Sequence, residues 1–211
     1  MAKRRNWGRW FNTGEPPKEG GQGRVFVVVD KDSADEKKAL KELKNPRRLD
    51  RFRREIQAFT QLGAHTNLIA IVDSALGDDS EKKYYVMELA DASLEDVVDT
   101  LTGDIHHALA LFEGVCAGAA HLHVNGILHR DIKPGNVLLI GDTPKLSDLG
   151  LCLIAGEDRL TSTQEAVGPR YFMAPELEDG RHLDVDARAD VYSLGKLLKL
   201  FCNIITIYSF F

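Results

Sequence analysis

Apolar positions recur first with a period of two and later with a period near 3.6, which predicts a β-rich part followed by a helical part. The run GGQGRVFVVVD, residues 20–30, passes from glycines into β-branched residues and ends in an Asp-containing turn, so it predicts a glycine turn between two strands. KKALKEL around Lys41 is again extended. Phe52, Ile56, Phe59 and Leu62 then share one helical face over about 47–63, and the pattern stops at Gly63. IAIVDSAL and KKYYVMELA predict two further strands across the polar turn GDDSEKK. From about Ser93 the period becomes helical, first in SLEDVVDTL and then in ALALFEGVCAGAAHLHVNG, whose small residues permit close packing. Short strands are expected to flank GILHRDIKPGNVLLI and PKLSDLGL, residues 156–165 read as loop, and helix returns near Asp190 through YSLGKLLKLF. The β-rich and helix-rich parts meet near Ala90 to Ser93, which predicts an α+β, two-lobed architecture.

Composition excludes more than it identifies. The 211 residues, 44% of them hydrophobic, are enough for one large domain or two small lobes. A net charge of −5 gives no global field for nucleic acid or anionic membrane. Lys3, Arg4, Arg5 and Arg9 are interleaved with Trp7, Trp10 and Phe11, and this segment reads as an untethered, solvated terminus. No long apolar run follows these charges, so a secretory signal is not expected and the cytoplasm is the expected compartment. Cys116, Cys152 and Cys202 are too dispersed for a disulfide framework or a zinc site and read as reduced packing residues.

The chemistry concentrates in HRDIKPGN, residues 129–136, followed about a dozen residues later by Asp148-Leu149-Gly150. Phosphoryl transfer from ATP needs a carboxylate at the attacking hydroxyl, a cation on the transferring phosphate and hard oxygen ligands for magnesium. Asp131, Lys133 and the pair Asn136 and Asp148 supply these in turn. With Ala174-Pro175-Glu176 downstream, the order and spacing of the motifs resemble the eukaryotic-type protein kinase superfamily over roughly residues 19–200.

That resemblance implies roles for residues that local patterns leave open. Gly20, Gly23 and Val25 are similar to the last two glycines and the valine of the nucleotide-covering loop, while Lys18 replaces its first glycine. Lys41, after Ala39-Leu40, matches the lysine that contacts the ATP phosphates, and Glu55 its ion-pair partner; Lys37, Lys38 and Lys44 also allow a solvated charge run. Met87 falls at the back of the adenine pocket, the backbone of Glu88 and Ala90 at the purine edge, and Val25, Ala39 and Leu138 on the adenine faces. Phe59, Ile71, His129 and Leu149 match an apolar stack between the lobes, and Asp190 matches the carboxylate that braces the catalytic loop. Lys133 resembles the serine/threonine branch, although Pro169 stands where that branch usually has threonine; GPR before the motif resembles bacterial members. Arg130 implies pairing with a phosphate on Thr161, Ser162 or Thr163.

The resemblance further implies an extension at 1–18, a small lobe at 19–90 and a partial large lobe at 91–211. Family members continue past the helix near Asp190, whereas here FCNIITIYSFF follows Leu200, so a C-terminally truncated large lobe with an aggregation- or dimerisation-prone tail is expected. Two lysines between Leu194 and Phe211 argue against a membrane span. The expected function is ATP- and magnesium-dependent phosphorylation of protein serine and threonine. The alternatives are a catalytically inactive nucleotide-binding or interaction module, and a fragment without a stable fold.

Overall fold

The computed structural model describes residues 6–19, 23–33, 35–77, 82–101, 104–154, 170–178 and 185–207. Gly20, Thr161, Ser162, Thr163 and Pro169 lie outside them. The first part is an antiparallel sheet built from β1 (Asn6–Trp7), β2 (Trp10–Asn12), β3 (Lys18–Glu19), β4 (Gly23–Asp30), β5 (Lys37–Leu43), β6 (Ile71–Ala75) and β7 (Tyr84–Glu88). Its strand order is β1-β2-β4-β5-β7-β6, with β3 also pairing with β4. Register fixes the faces. Val25 pairs with Lys41 and Val27 with Ala39, while Lys41 pairs with Tyr85 and Ala39 with Met87. These residues therefore share one face, and the period of two sends Phe26, Val28, Leu40, Tyr84 and Val86 to the other.

That second face is covered by the segment expected to be a free terminus, which corrects the sequence expectation. Trp7 and Trp10 are buried with Phe26, Val28, Leu40, Tyr84 and Val86 in one apolar cluster. A turn through Gly8, at φ +62°, joins β1 to β2, and β2 adds to the free edge of β4. Trp7 Nε1 donates to Glu42 Oε1 at 2.9 Å, and Trp10 Nε1 donates to Asp73 Oδ2 at 2.5 Å. Arg9 pairs with Asp30. Both indoles thus bury their apolar bodies and still satisfy their polar edges.

The long strand-to-strand excursion contains α1 (Leu49–Leu62), entered through a short 3-10 turn at Pro46–Arg48 and ended by Gly63 at φ +68°. It buries Phe52, Glu55, Ile56, Ala58, Phe59 and Leu62, the predicted face. Beyond β8 (Ala92–Ser93) comes α2 (Leu94–Val97), whose start is fixed by a capping box between Ser93 and Asp96. Then come α3 (Ile105–Val124), β9 (Ile127–Leu128), β10 (Val137–Ile140), β11 (Thr143–Leu146), β12 (Leu153–Ile154), α4 (Pro175–Glu178) and α5 (Arg188–Ile207). The apolar, β-branched stretch after Leu200 continues α5 to Ile207. Among the described residues no helix is long and apolar enough to cross a membrane.

One core runs through both parts, from Phe52, Phe59 and Met87 to Leu111, Val115, Leu122, Leu149 and Leu197. The loop after α1 is clamped to the helical part: Leu146 N donates to Asn67 O at 2.9 Å, and Asn67 Nδ2 donates to Pro144 O at 2.9 Å. A Cβ at Gly118 of α3 would lie 2.6 Å from Asn67 O, so the small residue is what lets helix and loop meet. Cys152 is buried and Cys116 partly so, but Cys202 is exposed, contrary to its reading as a packing residue.

Candidate active site

A cleft of about 420 Å³ lies between the sheet and the helical part. Strands β4, β5 and β7 contribute Gly23, Val25, Lys41, Tyr85 and Met87; the segment after β9 contributes Asp131, Lys133, Gly135 and Asn136; β10 adds Leu138, and Ser147 and Asp148 follow β11. Nine residues singled out by sequence thus meet on one surface: Gly23, Val25, Lys41, Met87, Asp131, Lys133, Asn136, Leu138 and Asp148.

Four others lie apart from that lining. Glu55 sits behind Lys41, fully buried. Ala39 belongs to the core beneath the cleft. The Glu88 carboxylate turns away to Lys145 at 3.0 Å, and its N–H donates to Ala70 O at 3.1 Å. Ala90 follows where the chain leaves β7 and takes no backbone-to-backbone hydrogen bond among the described residues.

Lys41 Nζ donates to both Glu55 oxygens at 3.0 Å and lies 3.5 Å from Asp148 Oδ1. Burial works against the ammonium, but Asp148 and Glu55 hold its pKa well above the ordinary lysine value. Burial lifts Glu55 to about 7 against the pull of Lys41, and the Asp148 charge adds to the rise. Burial disfavours the Asp148 carboxylate as well, yet Lys41 and then His129 hold it below the ordinary range. One ammonium thus serves two carboxylates; Asp148 keeps its charge and Glu55 is the one poised to take a proton.

Tyr85 was not foreseen. Its hydroxyl donates to Glu55 Oε1 at 2.8 Å, and its ring stands 5.1 Å from that of Phe52. The signal was available, since Tyr85 precedes Met87 by two and must share its face of the strand.

Opposite Lys41, the Asp131 carboxylate accepts from Lys133 Nζ at 2.8 and 3.0 Å. Asn136 Nδ2 donates to Asp131 Oδ2 and to its carbonyl, both at 2.8 Å. Among the described residues, Oδ1 therefore accepts one hydrogen bond and Oδ2 two. Beneath them, Asp190 at the start of α5 accepts from His129 N at 2.8 Å and Arg130 N at 2.7 Å. His123 Nε2 on α3 donates to the same carboxylate at 2.8 Å. Burial opposes the Asp190 charge, but His123, the nearby His129 ring and the two amides together hold its pKa below the ordinary value. This grip holds Arg130 in the left-handed region at φ +67°, a conformation that costs a non-glycine residue about 1–3 kcal/mol. Asp148 is left-handed too, at φ +62°. His129 is structural: fully buried, it donates through Nε2 to Ser147 O at 3.1 Å and accepts from Asp131 N at 3.3 Å. Phe59 and Leu149 are buried in the main core, with Ile71 packed against it.

The donor set suits a hard divalent cation. Asp148 supplies a carboxylate, and with the Asn136 nitrogen directed at Asp131 its amide oxygen is left to ligate. Among the described residues no group of three or more His, Cys, Asp or Glu could hold a metal. Mg²⁺ characteristically takes one or two protein oxygens and completes its shell with water and phosphate, so Asn136 and Asp148 are the residues that could hold it.

Comparison with known proteins agrees with this geometry. The protein kinase domain family matches residues 18–209. The chain is similar to serine/threonine-protein kinase PrkC of Bacillus subtilis (strain 168), 34% identical over 152 residues that cover 70% of this chain and 22% of that protein. It is 36% identical over 155 residues to serine/threonine-protein kinase PknB of Mycobacterium leprae (strain TN), covering 70% and 24%. To the human serine/threonine-protein kinase STK11 it is 31% identical over 194 residues, covering 85% and 44%. The chain therefore spans less than half the length of each of these relatives. With its motifs assembled on one cleft and the family matched over nearly its whole length, the chain belongs to the protein kinase domain family.

Proposed function

We propose that this chain transfers the γ-phosphoryl group of ATP to serine and threonine hydroxyls of proteins. The observation that carries the reading is the closed Lys41–Glu55 ion pair, at 3.0 Å, on the same cleft as Asp131, Lys133, Asn136 and Asp148. In this reading Val25, Ala39, Met87 and Leu138 provide the apolar surround of the adenine, and the backbone of Glu88 and Ala90 its polar edge. Gly20 and Gly23 bring main chain close to the phosphates, and Lys41, held by Glu55, engages them. Protein kinases as a family use ATP with Mg²⁺; Asn136 and Asp148 would hold the ion, which when bound neutralises charge on the phosphates. Asp131 Oδ1, with one hydrogen bond among the described residues, accepts the proton of the attacking hydroxyl. Lys133 keeps Asp131 oriented and lends positive charge beside the transferring group. The preference for serine and threonine is supported by Lys133 and by the printed names of the relatives.

The test is phosphoamino-acid analysis of a mixed protein substrate after incubation with ATP and Mg²⁺. Phosphoserine and phosphothreonine are expected. Phosphotyrosine alone would refute the assigned specificity, and tight nucleotide binding with no transfer would favour an inactive nucleotide-binding module.

A further inference from the structure

Lys41 and Tyr85 stand directly opposite each other in the register of β5 and β7, so their side chains leave the same face of the sheet side by side. Lys41 Nζ lies 5.5 Å from the centroid of the Tyr85 ring, within reach of the attraction between a cation and an aromatic face. The Tyr85 hydroxyl crosses from the sheet to α1, where it donates to Glu55 Oε1 at 2.8 Å. Glu55 is 0% exposed, Tyr85 2% and Lys41 7%. Burial, and then the Glu55 charge, push the Tyr85 pKa well above its ordinary value, so the hydroxyl keeps its proton and stays a donor.

The buried carboxylate is thereby held by two donors of different kind. Among the described residues Oε1 accepts from Lys41 and Tyr85, and Oε2 from Lys41. Lys41 is a charged donor on a flexible four-carbon stem, and Asp148 Oδ1, 3.5 Å away, competes for it. Tyr85 is neutral, and its ring is packed against Phe52 of the same helix, with centroids 5.1 Å apart. A ring with two side-chain torsions fixes its hydroxyl more tightly than a lysine stem fixes its ammonium. Filling this space would take only a phenylalanine; the hydroxyl serves the carboxylate. A Glu55 displaced from this spot would leave Asp148 as the partner of Lys41 and draw the ammonium toward it.

We propose that Tyr85 is a positioning residue: its hydroxyl fixes the Glu55 carboxylate and, through it, holds Lys41 Nζ at the place where the phosphates of ATP enter the cleft. This rests on the kinase reading above. Tyr85 acts at one remove, as the support that keeps a phosphate-binding cation in its productive geometry when a competing carboxylate lies beside it. The effect of the hydroxyl is therefore confined to ligands that carry phosphate, and it requires both Glu55 and Lys41.

The experiment uses the full chain and measures the affinities of ATP with Mg²⁺ and of adenosine, by competition with a fluorescent nucleotide, in the wild type, Tyr85→Phe, Glu55→Ala and the double variant. Phenylalanine keeps the ring and removes the hydroxyl. Tyr85→Phe should weaken ATP by about tenfold, the size of one hydrogen bond to a charged group, and leave adenosine within about twofold. In the Glu55→Ala background the same substitution should move ATP by less than about twofold, because the group it acts through is gone. Where Glu55→Ala gives no cooperative unfolding transition, Lys41→Met takes its place as the background with the same expectation. An equal loss of ATP and adenosine overturns the proposal and assigns Tyr85 to the wall that meets the base. A loss undiminished in the second background overturns it too, as the mark of packing alone, and so does an ATP affinity that Tyr85→Phe leaves unchanged. Transfer to a protein substrate is measured alongside. A preference for ATP over adenosine that depends on Tyr85, with no transfer to any protein, would uphold its hold on Lys41 and overturn the kinase reading; transfer with that preference unmoved by Tyr85→Phe would do the reverse.

Discussion

At the scale of the residue, the sharpest feature is an ammonium shared between two carboxylates. Glu55 has an ordinary pKa of 4.5 when exposed and about 7 when folded, so between these values the folded chain holds a proton that the unfolded chain releases. Its contribution to stability is therefore fully present below pH 4.5 and is lost as pH rises through 7. Comparing the wild type with Glu55→Gln by urea denaturation isolates this group from the others that titrate nearby. The stability of the wild type relative to the variant should fall by roughly 1–3 kcal/mol from pH 4.5 to 7.5. A difference that is flat or rises with pH would mean that Glu55 is ionised throughout and that Lys41 alone sets its state. Glu55 itself was identified in the sequence, because a strand lysine and a helical glutamate fourteen positions apart resemble a known ion pair. Its raised pKa was not legible, since that depends on full burial and then on the charge of Asp148, which lies 93 residues further along the chain.

At the scale of the element, the hairpin of β1 and β2 completes the small sheet. Trp7 is 2% exposed and its ring lies 4.7 Å from that of Phe26. Trp7→Ala should cost about 3–5 kcal/mol, the range for removing a large buried aromatic side chain, as measured by the midpoint and slope of chemical denaturation. A change below about 0.5 kcal/mol, the level of ordinary surface substitutions, would mean that the hairpin does not cover the sheet in solution. The segment looked like a solvated terminus because its four basic residues dominate the local pattern. A different signal pointed the other way: VFVVV in β4 is apolar at successive positions, and such a strand needs cover on both faces. The helix α1 was legible almost to the residue, because its apolar stripe ends on a glycine that takes a positive φ. By contrast, the continuation of α5 to Ile207 overrode a β-branched composition, as tertiary packing and helix continuity often do.

At the scale of the whole molecule, the sheet and the helical part are joined by one core and by the Asn67 clamp, and the cleft forms where they face each other. The cleft was legible because its residues occur as motifs whose order along the chain maps onto its two walls. The approach of Glu95 on α2 to Gly135 in the cleft wall was not, because a Cβ at Gly135 would lie 2.8 Å from Glu95 Oε2 across two elements, and no spacing along the chain encodes that. The most direct measurement is transfer of labelled γ-phosphate to a protein substrate by the wild type and by Asp131→Asn, with ATP affinity determined for both. Asparagine keeps the shape of the side chain but cannot take the hydroxyl proton, so transfer should fall by at least about a hundredfold while ATP binding is retained. Equal transfer by the two proteins, or none from a folded wild type that binds ATP, would contradict the assignment of this cleft to protein phosphorylation.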